Sequence, residues 1–392
     1  MRRVTGRRPV ESAKKSRCGS LRLASVVCIA AVAATGCGSA AAAAKQSHSP
    51  PGRLFALNPS FGTIRQIDEQ TNRVVSTIRA GVLGGFSVAP NGNFAYVWGQ
   101  GVYRVSLIGD RSSREIARTN PVFDVVFDPS GNEAAVSYGL EGQEVALINT
   151  TTSRLTKLDV GHVQKLGIPY DAAFLPNGRT LYVLTSNGFA VPINVSTGAV
   201  GTPIGHLDGR STGNATATPN GRELYVLNLG AGSVSVIDTT TNRVVKTIGV
   251  GSSPGFVVFT PNGRTAYVAN SASDSVSVIN VLTNRTIATI PVGKLPNEMA
   301  VTQDGKMIYV VDNASEEVTP IRVGATTAEP PIRVHHWILD IALTPNGRGA
   351  YVGECAPGAH QVIPINLVSD QPGKPIDVGG ISPDCIEVAA AP

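Results

Sequence analysis

Seven residues before each of a series of evenly spaced glycines the chain carries Gly85, Asp124, Asp171, Asn214, Phe256, Glu298 and Asp340, and alignment of the last segment adds Glu387. Five of these eight positions are acidic and one is Asn. Carboxylates gathered in one concavity suit a hard cation such as Ca²⁺, held through oxygen ligands, or a cationic organic ligand. Without such a partner, mutual repulsion would raise some of their pKa values. A second reading is structural: an acidic side chain at a strand start accepts hydrogen bonds from backbone N–H groups of the adjacent loop and so staples one unit to the next. Tyr170, Asn297, His336 and Trp337 flank the column. The chain has no His-Glu-x-x-His and no phosphate loop, Gly-x-Ser-x-Gly occurs only in the glycine-rich segments 209–213 and 251–255, and no catalytic residue is assigned. It also lacks Cys-x-x-Cys-His, which argues against covalent haem, and no cofactor is expected apart from Ca²⁺ at the column.

The elements that must position this column are short strands. The triplet Pro-Asn-Gly recurs at 90–92, 176–178, 219–221, 261–263 and 345–347, with degenerate copies at 129–131 and 303–305. The seven glycines stand 39, 47, 43, 42, 42 and 42 residues apart. Tyr-Val follows four residues after most of them, as at Tyr225-Val226 and Tyr267-Val268. Asn-Gly between apolar runs is a hairpin signal, since both residues tolerate positive φ. The segments 233–237 and 275–279, Ser-Val-Ser-Val-Ile, alternate with period two, as half-buried strands do. Five-residue turns opened by Asp or Asn follow at 68–72, 149–153, 194–198, 238–242 and 280–284, and then another strand. Four antiparallel strands in about 42 residues make one propeller blade.

The repeat resembles the YVTN-type β-propeller repeat of bacterial surface-layer and exported proteins. Tyr267-Val268-Ala269-Asn270, followed by Ser-Val-Ser-Val-Ile-Asn at 275–280, carries the likeness, which covers residues 53–392. An all-β propeller of four-stranded blades follows from it. With strands a to d counted outward from the channel, 53–58 aligns with strand b and 385–388 with strand a. The N-terminal strands b, c and d and the C-terminal strand a then complete one blade and close the ring, giving eight blades; seven is the alternative, since most such propellers have seven. Strand a is innermost, which places the acidic column near the channel mouth on the face of the b–c and d–a loops. The leading expectation is a non-enzymatic binding or scaffold protein that presents those loops to an envelope protein, glycan or small ligand. Because lactonases and antibiotic lyases also occur among propellers of this sequence style, the rival is an enzyme using a metal at the acidic mouth.

Charge and cysteines supply the address. The chain has 392 residues and a formal net charge of +5. Removing the eight basic residues and one acidic residue of segment 1–36 from totals of 33 and 28 leaves 25 and 27, so no nucleic-acid partner is expected. Residues 1–36 read as a signal peptide, with a basic start and an apolar run from Leu23 to Ala34. Ala34-Thr35-Gly36-Cys37 resembles a lipobox, with Cys37 as the lipidation site; plain signal-peptidase cleavage nearby is the alternative. Residues 37–52 would tether the folded body, 53–392, to the outer face of the cytoplasmic membrane. Cys355 and Cys385 remain in the body, where the alignment sets both near the closure seam on one face. A disulfide between them is expected, worth about 3–4 kcal/mol by loop entropy, against the alternative of two buried free thiols.

Overall fold

A computed structural model describes residues 53–391, apart from 82, 100, 119–120, 139–143, 159–165, 206, 208–211, 357 and 383–386. Leader, Cys37 and tether lie outside the described residues, and so does Cys385.

Strands account for most of the fold and are grouped in eight antiparallel sheets. Blade 1 is composite. Its strands b, c and d are Arg53–Asn58, Thr63–Asp68 and Arg73–Arg79, and its strand a is Glu387–Ala391. Leu57 pairs with Glu387 and Arg53 with Ala391, so the two ends of the described chain share one sheet. Blades 2 to 8 begin with strands a at Leu83–Val88, Val122–Phe127, Pro169–Phe174, Thr212–Ala217, Pro254–Phe259, Pro296–Val301 and Ile338–Leu343. Each of these innermost strands touches the next, and Glu387–Ala391 touches both Ile338–Leu343 and Leu83–Val88, which closes the ring.

The core is divided accordingly. Eight buried apolar clusters each join two neighbouring blades; one sets Leu54, Ala56 and Ile67 of blade 1 against Tyr351, Val362 and Ile376 of blade 8. Eight interfaces for eight sheets leave no seam unpacked. All the described sheets and clusters are built from residues 53–391.

Two local readings of the sequence need correction. In the Pro-Asn-Gly turns only the glycine takes positive φ, as at Gly263 (+66°). Thr260-Pro261-Asn262-Gly263 is a type I turn with proline second and glycine fourth, closed by the Gly263 N–H donating to Thr260 O at 2.8 Å. The Asn side chain holds the exit instead: Asn262 Oδ1 accepts the Arg264 N–H at 3.0 Å. Second, Ser233–Asp238 and Ser275–Asn280 are buried on both faces rather than half-buried. Their serines are buried because the Asn closing strand b needs them: Asn228 Nδ2 donates to Ser233 and Ser235 Oγ at 3.0 Å.

Strand d is unbroken in blades 5 and 6, shrinks to Ile332–Arg333 in blade 7, and is split into Gln371–Pro372 and Ile376–Ser382 in blade 8. In blade 4 the described pairing is two isolated bridges, Ala190 with Ile204 and Ile193 with Val200. These three blades share a proline in strand c, opposite the buried Tyr of strand b: Pro192, Pro320 and Pro364. Each proline's carbonyl accepts from the outer segment, from Gly201, Glu329 and Gly373. Its missing N–H faces the same way and breaks the ladder.

The buried Tyr of strand b ties blades 4, 5 and 8 to the blade that follows each. Tyr182 Oη donates to Asn242 Oδ1 at 2.6 Å and Tyr351 Oη to Asn72 Oδ1 at 2.7 Å; Tyr225 Oη donates to Asn284. Each acceptor is the left-handed residue (φ +48° to +55°) closing the neighbouring c–d turn.

Candidate functional site

In all seven internal blades strand a carries a bulge, between Pro169 and Asp171 for instance, or Ile338 and Asp340. Two residues there face one of strand b, which bends the strand and sets the direction of the column residue. Asp124, Asp171, Asn214, Phe256 and Asp340 are 2–8% exposed, and Glu298 is half-buried. Glu387 lies on the backbone of strand a in blade 1, paired with Leu57.

The column is thus largely inside the wall of the ring. Asp171 Oδ2 accepts the Ala215 N–H from the strand a of the next blade at 2.9 Å. The preceding Tyr170 donates its Oη to Gly213 O at 3.1 Å across the same interface. These two bonds are the stapling geometry. Asp124, Glu298 and Asp340 are also engaged by polar or electrostatic contacts. The Asp171 carboxyl is pushed up to about 7, but burial is the cause, with the backbone hydrogen bonds from Ala215 and Ala172 pulling the other way. At Asp171 burial is therefore the largest cause of the shift. Among the described residues no group of three or more His, Cys, Asp or Glu side chains is arranged to hold a metal.

A second column, seven residues after each repeat glycine, went unread in the sequence. It runs Gly99, Tyr138, Thr185, Asn228, Asn270, Asp312 and Glu354, and Asn58 fills the place in blade 1. These residues end strand b and sit opposite the start of strand a; Asn270 pairs with Pro254, and Glu354 with Ile338. Asn270 is fully buried. A Cβ on Gly251 would lie 2.7 Å from its Cβ, so the loop entering blade 6 needs glycine. Asp312 accepts from Thr319 Oγ1, and burial pushes its carboxyl up to about 7.

In blade 8 this second column meets the d–a loop. His336 Nδ1 lies 3.2 Å from Glu354 Oε1. Glu354 Oε2 accepts the backbone N–H groups of His360 at 2.9 Å and Gln361 at 3.2 Å. Both carboxylate oxygens are thus committed, one to the imidazole and one to the chain. In the neutral tautomer with Nδ1–H toward Glu354, Nε2 is left as an acceptor. The next residue, Trp337, is 52% exposed, and its carbonyl accepts the Cys355 N–H at 2.6 Å. Cys355 is disulfide-bonded. Phe61, in the b–c loop of blade 1, is 55% exposed and Leu295, in the d–a loop entering blade 7, 40%. Leu295, Trp337 and Phe61 mark consecutive blades on one face. The sequence singled out His336 and Trp337; Glu354 was visible only by comparing the ends of strand b.

A family model described as "Lactonase, 7-bladed beta-propeller" matches residues 249–333, which span blades 6 and 7. No curated protein matches the chain. Among solved structures, "Dihydro-heme d1 dehydrogenase NirN in complex with DHE" is similar at 15% identity and a TM-score of 0.71, over 86% of this chain and 76% of that one. The hydrazine synthase of Kuenenia stuttgartiensis is similar at 21% identity and a TM-score of 0.52, over 64% of this chain and 77% of that one. A protein of unknown function from Desulfotomaculum acetoxidans DSM 771 is similar at 17% identity and a TM-score of 0.55, over 71% of this chain and 94% of that one. At these identities the likeness is one of fold: the chain is a β-propeller.

Proposed function

We propose that the protein is an exported, lipid-anchored β-propeller that binds a partner through the b–c and d–a loops at one mouth of its channel. One observation carries this reading. At that mouth Asp171 is spent on joining two blades, while large apolar side chains stand exposed on loops of blades 7, 8 and 1. Asp171 bonds Ala215 across an interface, whereas Trp337 and Phe61 are each more than half exposed on loops of the same face. Large apolar side chains grouped on loop tips mark an interaction surface. A cell-envelope glycan suits it, because an aromatic platform beside a hydrogen-bonding imidazole meets both the apolar and the hydroxyl faces of a sugar.

A second reading is enzymatic. The partial match to a lactonase model and the imidazole oriented by Glu354 favour it, since an oriented His can act as a general base. One set of proteins separates the two. Calorimetric titration with soluble cell-wall glycan fragments should show binding by the wild type that Trp337→Ala weakens at least tenfold while the melting temperature stays put. Equal binding by the variant overturns the proposal. Turnover of a lactone by the wild type, lost in His336→Asn, would replace it with the enzymatic reading.

A further inference from the structure

The face opposite the glycan-binding loops has a pattern that net charge conceals. In five consecutive blades, 4 to 8, the residue after the repeat glycine is basic: Arg179, Arg222, Arg264, Lys306 and Arg348. All five are exposed. Each stands at the a–b turn, the innermost turn of its blade, so together they ring the second mouth of the channel. Neighbouring turns are in contact. A Cβ on Gly221 would lie 3.3 Å from Pro176, one on Gly263 3.5 Å from Pro219, and one on Gly305 3.0 Å from Pro261. The turns of blades 4 to 7 are therefore contiguous, the glycine of blades 5, 6 and 7 resting on the proline of the preceding blade, while Gly347 in blade 8 meets nothing within 4 Å. Lys306 pairs with Asp304 at 3.2 Å. The guanidiniums of Arg179, Arg222, Arg264 and Arg348 are in no ion pair among the described residues. Arg73, Arg243 and Arg285, also exposed, start strand d on the same face in blades 1, 5 and 6, and exposed Arg154 immediately precedes it in blade 3.

The chain also enters the propeller on this face. Arg53 pairs with Asp68, which opens the c–d turn of blade 1, and with Ala391 at the end of strand a. The fifteen residues 38–52 precede it and span at most about 50 Å when extended.

We infer that the a–b face docks on an anionic phospholipid surface, with the basic collar against the headgroups and the loop mouth turned away. A flat array of unpaired guanidiniums at the end where the chain enters fits a surface better than a small ligand. Each such cation near an anionic membrane contributes about 1 kcal/mol. The orientation rests on the proposed anchoring at Cys37; the collar's affinity does not, and the test is made without the anchor.

The test uses residues 53–392, first shown to be folded by circular dichroism and a cooperative melt, in co-sedimentation with phosphatidylcholine vesicles containing one-third phosphatidylglycerol. Binding is expected at low ionic strength, with loss in high salt and little binding to pure phosphatidylcholine. The variant R179Q/R222Q/R264Q/R348Q should lower the partition coefficient by about 1,000-fold, from four such contributions. Its four sites are exposed, so its circular dichroism and melting temperature should match the wild type. Lys294→Gln with Arg333→Gln, on the opposite face, should leave partitioning unchanged. Equal binding by the quadruple variant, or equal binding to neutral vesicles, overturns the inference. Binding to a DNA duplex or to soluble polyphosphate with none to the vesicles overturns it as well. If the collar binds but Cys37 proves unlipidated, only the anchoring fails.

Discussion

The tyrosine ties between blades give a sharp internal comparison. Tyr351 Oη reaches Asn72 Oδ1 at 2.7 Å and Tyr182 Oη reaches Asn242 Oδ1 at 2.6 Å. Tyr96, at the same repeat position in blade 2, is fully buried, and its hydroxyl has no hydrogen-bond partner among the described residues. The residue closing the next c–d turn is there Ser153, left-handed like the asparagines (φ +60°) but shorter. Burial pushes the Tyr96 hydroxyl's pKa up to about 12, consistent with a phenol shut away from water. Removing a hydroxyl that makes a net hydrogen bond costs about 0.5–1.5 kcal/mol, whereas removing a buried one that makes none costs nothing or stabilises. Tyr351→Phe and Tyr182→Phe should therefore each lose about 1 kcal/mol, while Tyr96→Phe should be neutral or gain up to about 1 kcal/mol. Ser153→Asn should restore the missing acceptor and gain up to about 1 kcal/mol, provided Tyr96 is intact. The assay is the urea midpoint at constant m-value, with the double variant Tyr96→Phe/Ser153→Asn closing the cycle. If Tyr96→Phe costs as much as Tyr351→Phe, or Ser153→Asn gains equally in the Tyr96→Phe background, the reasoning fails.

Two further predictions concern stability. Asp171 and Asp312 have folded-state pKa values raised by burial to about 7 against an ordinary 3.8, so the native state keeps protons that the unfolded chain releases. Stability should be greatest near pH 4 and decline as pH rises to 7, by an amount on the order of a few kcal/mol. Asp312→Asn, which copies the residue found at 228 and 270, should flatten this decline; an unchanged profile of melting temperature against pH would refute the assignment. Gly251→Ala places a methyl 2.7 Å from Asn270 Cβ and 2.3 Å from Ser273 Oγ and should cost about 1–3 kcal/mol. Gly249→Ala, with nothing within 4 Å, should cost nothing, and equal melting temperatures for the two would remove the packing argument.

Much of the architecture was legible in the order of residues. The 42-residue period, the turn residues and the split of one blade between 53–79 and 387–391 all follow from local chemistry repeated along the chain. A repeat specifies its blade locally, so reading one unit well is reading most of them. The sites were less legible. The acidic column stood out because charge is conspicuous in a sequence, yet its side chains are turned into the wall by a bulge that leaves no mark in composition. The second column was missed because Asn, Asp, Glu and Thr alternate there with Gly and Tyr, and nothing marks Glu354 as the partner of His336, 18 residues earlier. The basic collar was hidden by summation, since nearly equal totals of opposite charge say nothing of which face carries which sign.

The sequence by itself determined the blade, because turn chemistry, strand length and proline placement act within a few residues of one another. Pro192, Pro320 and Pro364 break the described ladder to their own outer strand wherever the ring sits. Tertiary structure decided what faces what. Asp171 is a staple because the bulge and the neighbouring blade bring Ala215 to it, and Tyr96 lacks the tie that Tyr351 has because the next blade offers Ser153 in place of Asn72. The basic turns become a collar only when the ring closes. Such relations join residues that are 40 to 280 positions apart, and no local propensity encodes them; they exist once eight packed interfaces fix the blades side by side.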